Sequence, residues 1–212
     1  MNFQPLPREF YLPSARIVAP RLLGHWLIRK TPEGICGGPI VETEAYLAND
    51  PACHGAVGET ARNRAMWGAP GRSYVYFIYG CHFCFNAVCR PSGFAEAVLV
   101  RAIEPVFGET FMRARRPVQN IHQLTSGPAK LSAAMYITRT LDDVDLCDAN
   151  SALFIAENPQ LKEFVSERGP KIKTTRVGIS KAADLPLRFY LSVSPFVSRR
   201  VAPPRRVVSA AK

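Results

Sequence analysis

The sequence lacks any apolar run approaching the ~18 residues of a spanning helix, so no membrane-spanning helix is expected. Its start, "MNFQPLPREF", lacks the charged-then-apolar pattern of a secretory signal, and a cytosolic or nucleoid location is expected, nuclear in a eukaryote. Histidine is scarce. The four present (His25, His54, His82, His122) are scattered without metal-ligand spacing, which argues against a metal-dependent nuclease. Cysteine pairs are missing too. "CHFC" (Cys81–Cys84) has a metal-like spacing, but no second pair stands at the usual distance. The six cysteines are therefore expected to be reduced, and Cys81 and Cys84 to be small fillers of a buried strand rather than a zinc or redox site. No amphipathic basic helix with an aromatic face is present, which disfavours a membrane-surface protein. There is no internal repeat and no βαβ alternation. Acidic residues are in short supply, 17 against 27 Lys and Arg, for a formal charge of +10. That excess suggests a polyanionic partner, nucleic acid first.

What is present reads as one domain. With 212 residues, 47% of them hydrophobic, the chain can bury a core. Residues 1–7 are expected to form a flexible tail, 8–198 a single domain, and 199–212 a basic, disordered tail with five cations and no acid from Ser198 onward. "REFYLPSARIVAPRLLG" has helical spacing, broken by Pro13 and Pro20 and stopped by Gly24. "HWLIRK" reads as a strand and "TPEG" as a turn into the next strand, which ends near Leu47. A long Gly- and Ala-rich loop follows, Ala48–Gly71, of a length that is usually functional or mobile. Three closely spaced strand-like runs come next: Ser73–Gly80, His82–Arg90 and Ala95–Pro105. "GETFMRARR" and "SGPAKLSAAMY" read as helices, the second with Ser126 as candidate cap. "ALFIA", "KTTRVGI" and "LRFYLSV" read as later strands. Strands gathered early with helices on the flanks predict an α+β fold, with a mixed, mostly antiparallel curved sheet.

"IVETEAYL" (Ile40–Leu47) alternates strictly, so Glu42, Glu44 and Tyr46 share one side of an interior-looking strand. A buried carboxylate costs several kcal/mol unless paired or hydrogen-bonded. Both acids could meet arginines at a sheet edge. Alternatively, one is a general base held by an arginine, and Arg101, mid-strand in "VLVRAIEP", is available. "SYVYFIYG" places Tyr74, Tyr76 and Ile78 on one face and leaves Tyr79 before a glycine, where a side chain can project. Such a stripe is either core or a platform for stacking bases. Arg62 and Arg64 of "RNR" could hold phosphates. His54 matters only if its loop folds over the Tyr76 and Glu44 region. Asn86 sits in the apolar "FCFNAV", so its amide must find partners.

These motifs together resemble the alkyladenine (3-methyladenine) DNA glycosylases of the mammalian type, which also occur in bacteria. The likeness runs from about Glu9 to Arg199. It rests on "RLLGHWLIRK", "IVETEAYL", "RNRAMW", "YVYFIYGCHFCFN", "AVLVRAIEP", "SGPAKL" and "LRFYLSVSPFVS", in order. The resemblance implies a monofunctional enzyme that flips out alkylated or deaminated purines and leaves an abasic site. It implies Glu44 as the base that activates water and Arg101 as the residue positioning both. It implies a base pocket of Tyr46, His54, Tyr76 and Asn86, with the asparagine opposing the exocyclic amine of guanine. Tyr79 becomes the wedge that fills the gap in the duplex, and Arg62, Arg64 and Lys130 contact the DNA backbone. The expected partner is double-stranded DNA carrying a damaged purine, met by a monomer without metal, cofactor or membrane. Glu42 is expected to be structural, in a salt bridge. The rival reading is a non-catalytic nucleic-acid-binding domain, which needs no acid in its pocket.

Overall fold

A computed structural model describes residues 2–200. Its centre is an unusually long strand, β2 (Gly34–Tyr46), whose two halves take different partners. The first half pairs with β1 (Trp26–Thr31), which in turn pairs with β6 (Leu153–Ala156). The second half is flanked by β5 (Glu96–Ile103) and β8 (Arg188–Leu191). Outward from β5 come β4 (His82–Cys89) and β3 (Ser73–Ile78), and β7 (Lys171–Thr174) borders β8. All these ladders are antiparallel, giving an α+β fold on an eight-stranded sheet.

The alternation read in Ile40–Leu47 decides which way the sheet faces. Thr43 donates from its hydroxyl to the Ala19 carbonyl of α1 (Ala15–Leu22), so the Val41, Thr43 and Ala45 side packs on that helix. The Glu42 and Glu44 side faces away from it. Pro20 is tolerated near the end of α1, and Gly24 at φ 93° turns the chain into β1. The main core lies between the sheet and its helices, with Leu22, Leu27, Ile40, Phe85, Val98 and Val100 all fully buried. Three further helices are α2 (Glu109–Arg115), α3 (Pro128–Ala134) and α4 (Leu161–Glu167), and α3 packs on β4 and β5.

Several expectations change. Residues 2–7 are not a loose tail: Phe3 and Leu6 are buried, and the Leu6 amide donates to the Ile155 carbonyl of β6. Pairing a free sheet edge and covering apolar surface outweighs the ordering of six residues. Ser126 is not a cap. It bridges Ala102, and Gly127 occupies the position before α3. The run "KTTRVGI" is a strand only to Thr174, and Val177–Ile179 leave the sheet, with Gly178 at φ 78°. Helix α4 was not anticipated. The expected basic tail falls mainly on residues 201–212, outside the described residues. Arg199 and Arg200 are described, and Arg200 donates to the Ser194 carbonyl at 2.7 Å.

No helix among the described residues is long and apolar enough to cross a membrane.

Candidate active site

The register between β2 and β5 slips twice. Ile40 pairs with Ile103 and Glu42 with Ala102, yet Thr43 pairs with Val100. Val41 on one strand and Arg101 on the other are thus passed over, as in a pair of compensating bulges. Bulges re-aim side chains, and here Arg101 arrives among the carboxylates of the neighbouring strand. Its Nε donates to Glu42 Oε1 at 2.9 Å, and its Nη1 lies 3.2 Å from Glu44 Oε2.

The two acids are both 0% exposed, but their settings differ. Glu42 is saturated. Besides Arg101 it accepts from Arg188 Nε at 2.7 Å, the Ser198 amide at 2.6 Å and the Ser198 hydroxyl at 2.9 Å. Burial alone would push its carboxyl pKa up. The two guanidiniums and the Ser198 donors outweigh burial and hold it below the usual range. Glu44 has one guanidinium neighbour. Its Oε2 accepts from the Tyr46 hydroxyl at 3.0 Å and its Oε1 from the Val177 amide at 2.8 Å. Arg101, though buried, is raised above its ordinary pKa by Glu44 and Glu42. Tyr46 is pushed well up, first by burial and then by the Glu44 charge, so its phenol stays protonated and can donate.

A cavity of about 300 Å³ opens beside this cluster, at the lower end of the range for small-molecule sites. Glu44 is not in its wall, but Tyr46, Arg101 and Val177, its three polar neighbours, all are. Tyr74, Tyr76 and Ile78 line it together, as the alternation of β3 requires. The loop carrying His54 does fold over this region. A short 3-10 turn, His54–Val57, brings Nδ1 to 2.8 Å from the Tyr74 hydroxyl and the ring centroid to 4.4 Å from that of Tyr76, edge to face. Asn63 fixes the loop by donating to the His54 and Gly58 carbonyls. Burial, then the nearby Arg62, lowers the His54 pKa, favouring the neutral ring. Asn86 donates to the Tyr74 carbonyl at 3.0 Å and reaches the cavity wall. Cys84 lies in that wall as expected of a buried filler. Cys81 does not fill a strand, because it sits exposed in the β3–β4 turn.

At that turn Tyr79 is 79% exposed and has φ 52°, followed by Gly80 at φ 69°. A left-handed non-glycine residue costs roughly 1–3 kcal/mol and clusters at functional sites. Tyr79 touches the cavity and also a shallow groove lined with Phe77, Phe83, Arg62 and Arg139. Arg62 donates to the Phe77 carbonyl at 3.1 Å, whereas Arg64 lies apart, 3.4 Å from Glu59. Lys130 is on α3, next to Pro128 and Ala129 of the cavity wall. Among the described residues, no cluster of three or more His, Cys, Asp or Glu could hold a metal.

Sequence reasoning missed Arg188, Ser198, Asp50 and the Arg176–Ile179 segment. Arg188 carried the same signal as Arg101, a charge amid apolar strand residues in "LRFYLSV". Val177 acts through its backbone, for which side-chain chemistry gives no signal.

The family model described as Methylpurine-DNA glycosylase (MPG) matches residues 9–195. A protein of Methanoculleus marisnigri is 48% identical over 197 residues, covering 92% of this chain and 99% of its own length. One of Carboxydothermus hydrogenoformans is 44% identical over 195 residues, with the same coverage. One of Francisella tularensis is 44% identical over 182 residues, covering 86% of this chain and 92% of its own. All three carry the name "Putative 3-methyladenine DNA glycosylase". The chain belongs to the methylpurine-DNA glycosylase family and is a DNA N-glycosylase.

Proposed function

We propose that the protein excises alkylated or deaminated purines from duplex DNA as a monomer, by water attack on the glycosidic bond, leaving an abasic site and an uncut strand. The observation that carries this reading is a buried carboxylate, Glu44, whose three polar neighbours form the wall of an aromatic cavity.

A stacked base hides its glycosidic bond, so the nucleotide has to be extruded, at a cost of a few kcal/mol that is least where pairing is damaged. Tyr79, exposed on a strained turn, fills the gap and offsets part of that cost. The extruded purine lies between Tyr46, His54, Tyr74 and Tyr76, with Asn86 opposing a guanine amine. Arg62, Arg64 and Lys130 hold backbone phosphates, and the +10 charge draws the duplex in. As the bond to the base breaks, the sugar becomes an oxocarbenium-like cation. Glu44 stabilises it electrostatically and takes a proton from the attacking water, which adds at the anomeric carbon. Arg101 orients both. Glu42 serves the fold. No lysine is given the role of a second nucleophile, so no strand cleavage follows.

The test is incubation with a duplex carrying one hypoxanthine, then electrophoresis with and without alkali. Strand breaks are expected only after alkali. Breaks without alkali contradict the monofunctional reading. Binding with no base loss from hypoxanthine or 3-methyladenine duplexes contradicts the proposed substrate class.

A further inference from the structure

Two of the most deeply buried charges in the protein lie just outside the cavity, and neither is in its wall. Arg176 and Asp50 form an ion pair whose side chains are 0% and 1% exposed. Both Arg176 Nη atoms donate to the carboxylate, Nη2 to Oδ1 at 3.0 Å. Nη1 also donates to the Ala45 carbonyl at 3.1 Å, and Nη2 to the Ala182 carbonyl at 3.3 Å. The guanidinium carbon sits 4.7 Å from the centre of the Tyr46 ring. Asp50 in turn accepts from the Ala52 amide at 3.0 Å.

Such a pair is a poor choice for stability alone. Replacing a buried ion pair with apolar residues of similar volume is often neutral or stabilising. Here the Arg176 Nε is also buried without a partner, a further cost. What the pair does instead is geometric. It joins three stretches that meet at the site: the end of β2 at Ala45 and Tyr46, the loop leading from Asp50 to His54, and the segment that leaves the sheet after Thr174. The residue after Arg176 is Val177, whose amide holds Glu44 Oε1. The ring it stacks on belongs to Tyr46, whose hydroxyl holds Glu44 Oε2. Two of the three donors to the carboxylate, the Tyr46 hydroxyl and the Val177 amide, are thus fixed by one guanidinium.

We propose that Arg176 and Asp50 are positioning residues for the catalytic carboxylate, clamping the Val177 amide and the Tyr46 ring so that both Glu44 oxygens are held in register with the cavity. This rests on the assignment of Glu44 as the base. A planar fork with several donors is required, because one group must meet a carboxylate, two carbonyls and a ring face together.

The test uses the full chain with a hypoxanthine duplex under single-turnover conditions. The variant D50L/R176M removes both charges at similar volume, and D50N keeps an oxygen acceptor for Arg176. The double variant is expected to retain its melting temperature and its affinity for a duplex with an uncleavable abasic analogue. Its excision rate is expected to fall by about 100-fold, the scale of an ångström-level misplacement. D50N leaves the buried Arg176 without a counter-charge and lowers the melting temperature; assayed well below that midpoint, it should fall between the double variant and the wild type in rate rather than affinity. A folded double variant that excises at the wild-type rate overturns the proposal. So does a loss that tracks melting temperature and affinity together. If the double variant does not fold, a D50N rate equal to wild type overturns the proposal, and a lower rate at unchanged affinity supports it. E44Q, run alongside, separates the two failures. Wild-type excision by E44Q removes the base assignment and with it anything to position. An inactive E44Q beside an unaffected D50L/R176M removes the clamp alone.

Discussion

Glu42 and Glu44 are two residues apart on one strand, fully buried, and both touch Arg101, yet their surroundings serve opposite ends. Around Glu42 everything closes. Two guanidiniums, a hydroxyl and an amide fill its acceptor sites, drawing β5, β8 and Ser198 onto one carboxylate. Around Glu44 the same chemistry is kept sparse. One guanidinium, one phenol and one amide hold it, and each of those residues also faces a cavity. Burial and charge do not separate the two acids. What separates them is that the partners of Glu44 are shared with open space.

The largest effect that could break this comparison is on stability. Glu42→Gln leaves Arg101 and Arg188 short of a buried counter-charge. Breaking such a network costs about 3–5 kcal/mol, which for a chain of this size lowers the melting temperature by roughly 10 °C. Calorimetry checks it, and Glu44→Gln should lower the midpoint less. An equal drop would mean that both acids are structural.

Acid sharpens the contrast next. The folded pKa of Glu42 lies below its ordinary 4.5, so its contribution is present above pH 4.5 and is lost as pH falls through the folded value. His25 acts earlier. Burial, then Lys171, lowers it from 6.5 to about 4. The unfolded chain binds that proton first, so stability declines from pH 6.5 to about 4, by about 3 kcal/mol in all, and then levels off. In His25→Phe that earlier limb should shrink in pH-dependent melting curves to the share of His54, whose pKa burial also lowers, and leave the Glu42 limb unchanged. A limb of undiminished size between pH 6.5 and 4.5 would assign the acid loss elsewhere.

The smallest stability effect is expected at the exposed hairpin tip. Tyr79→Ala removes an exposed ring and should change stability by less than about 0.5 kcal/mol. Its excision of a lesion in an intact pair should drop more than excision of the same lesion unpaired. Equal losses on both substrates would remove the wedge role.

Much of this was legible from strand alternation. The period of two placed Glu42, Glu44 and Tyr46 on one face and Tyr74 with Tyr76 on another, because side-chain direction in a strand follows from backbone geometry. It could not show that Arg101 reaches both acids, since that depends on a double bulge between strands far apart in sequence. The N-terminal segment was misread because its apolar residues are few and Pro-separated, and only the open edge of β6 gives them a place. Val177 and the Arg176–Asp50 clamp were missed for a related reason. Their roles arise where a strand end, a loop and the segment after Thr174 converge, and no local pattern encodes a convergence.

The most direct measurement is the single-turnover excision of hypoxanthine from duplex DNA by Glu44→Gln and Glu42→Gln, both held well below their melting temperatures. General-base catalysis contributes roughly 100- to 10,000-fold. The account predicts a loss of that size for Glu44→Gln with duplex affinity intact, and a much smaller loss for folded Glu42→Gln. Comparable excision by the two variants, or a greater loss for Glu42→Gln, would contradict it.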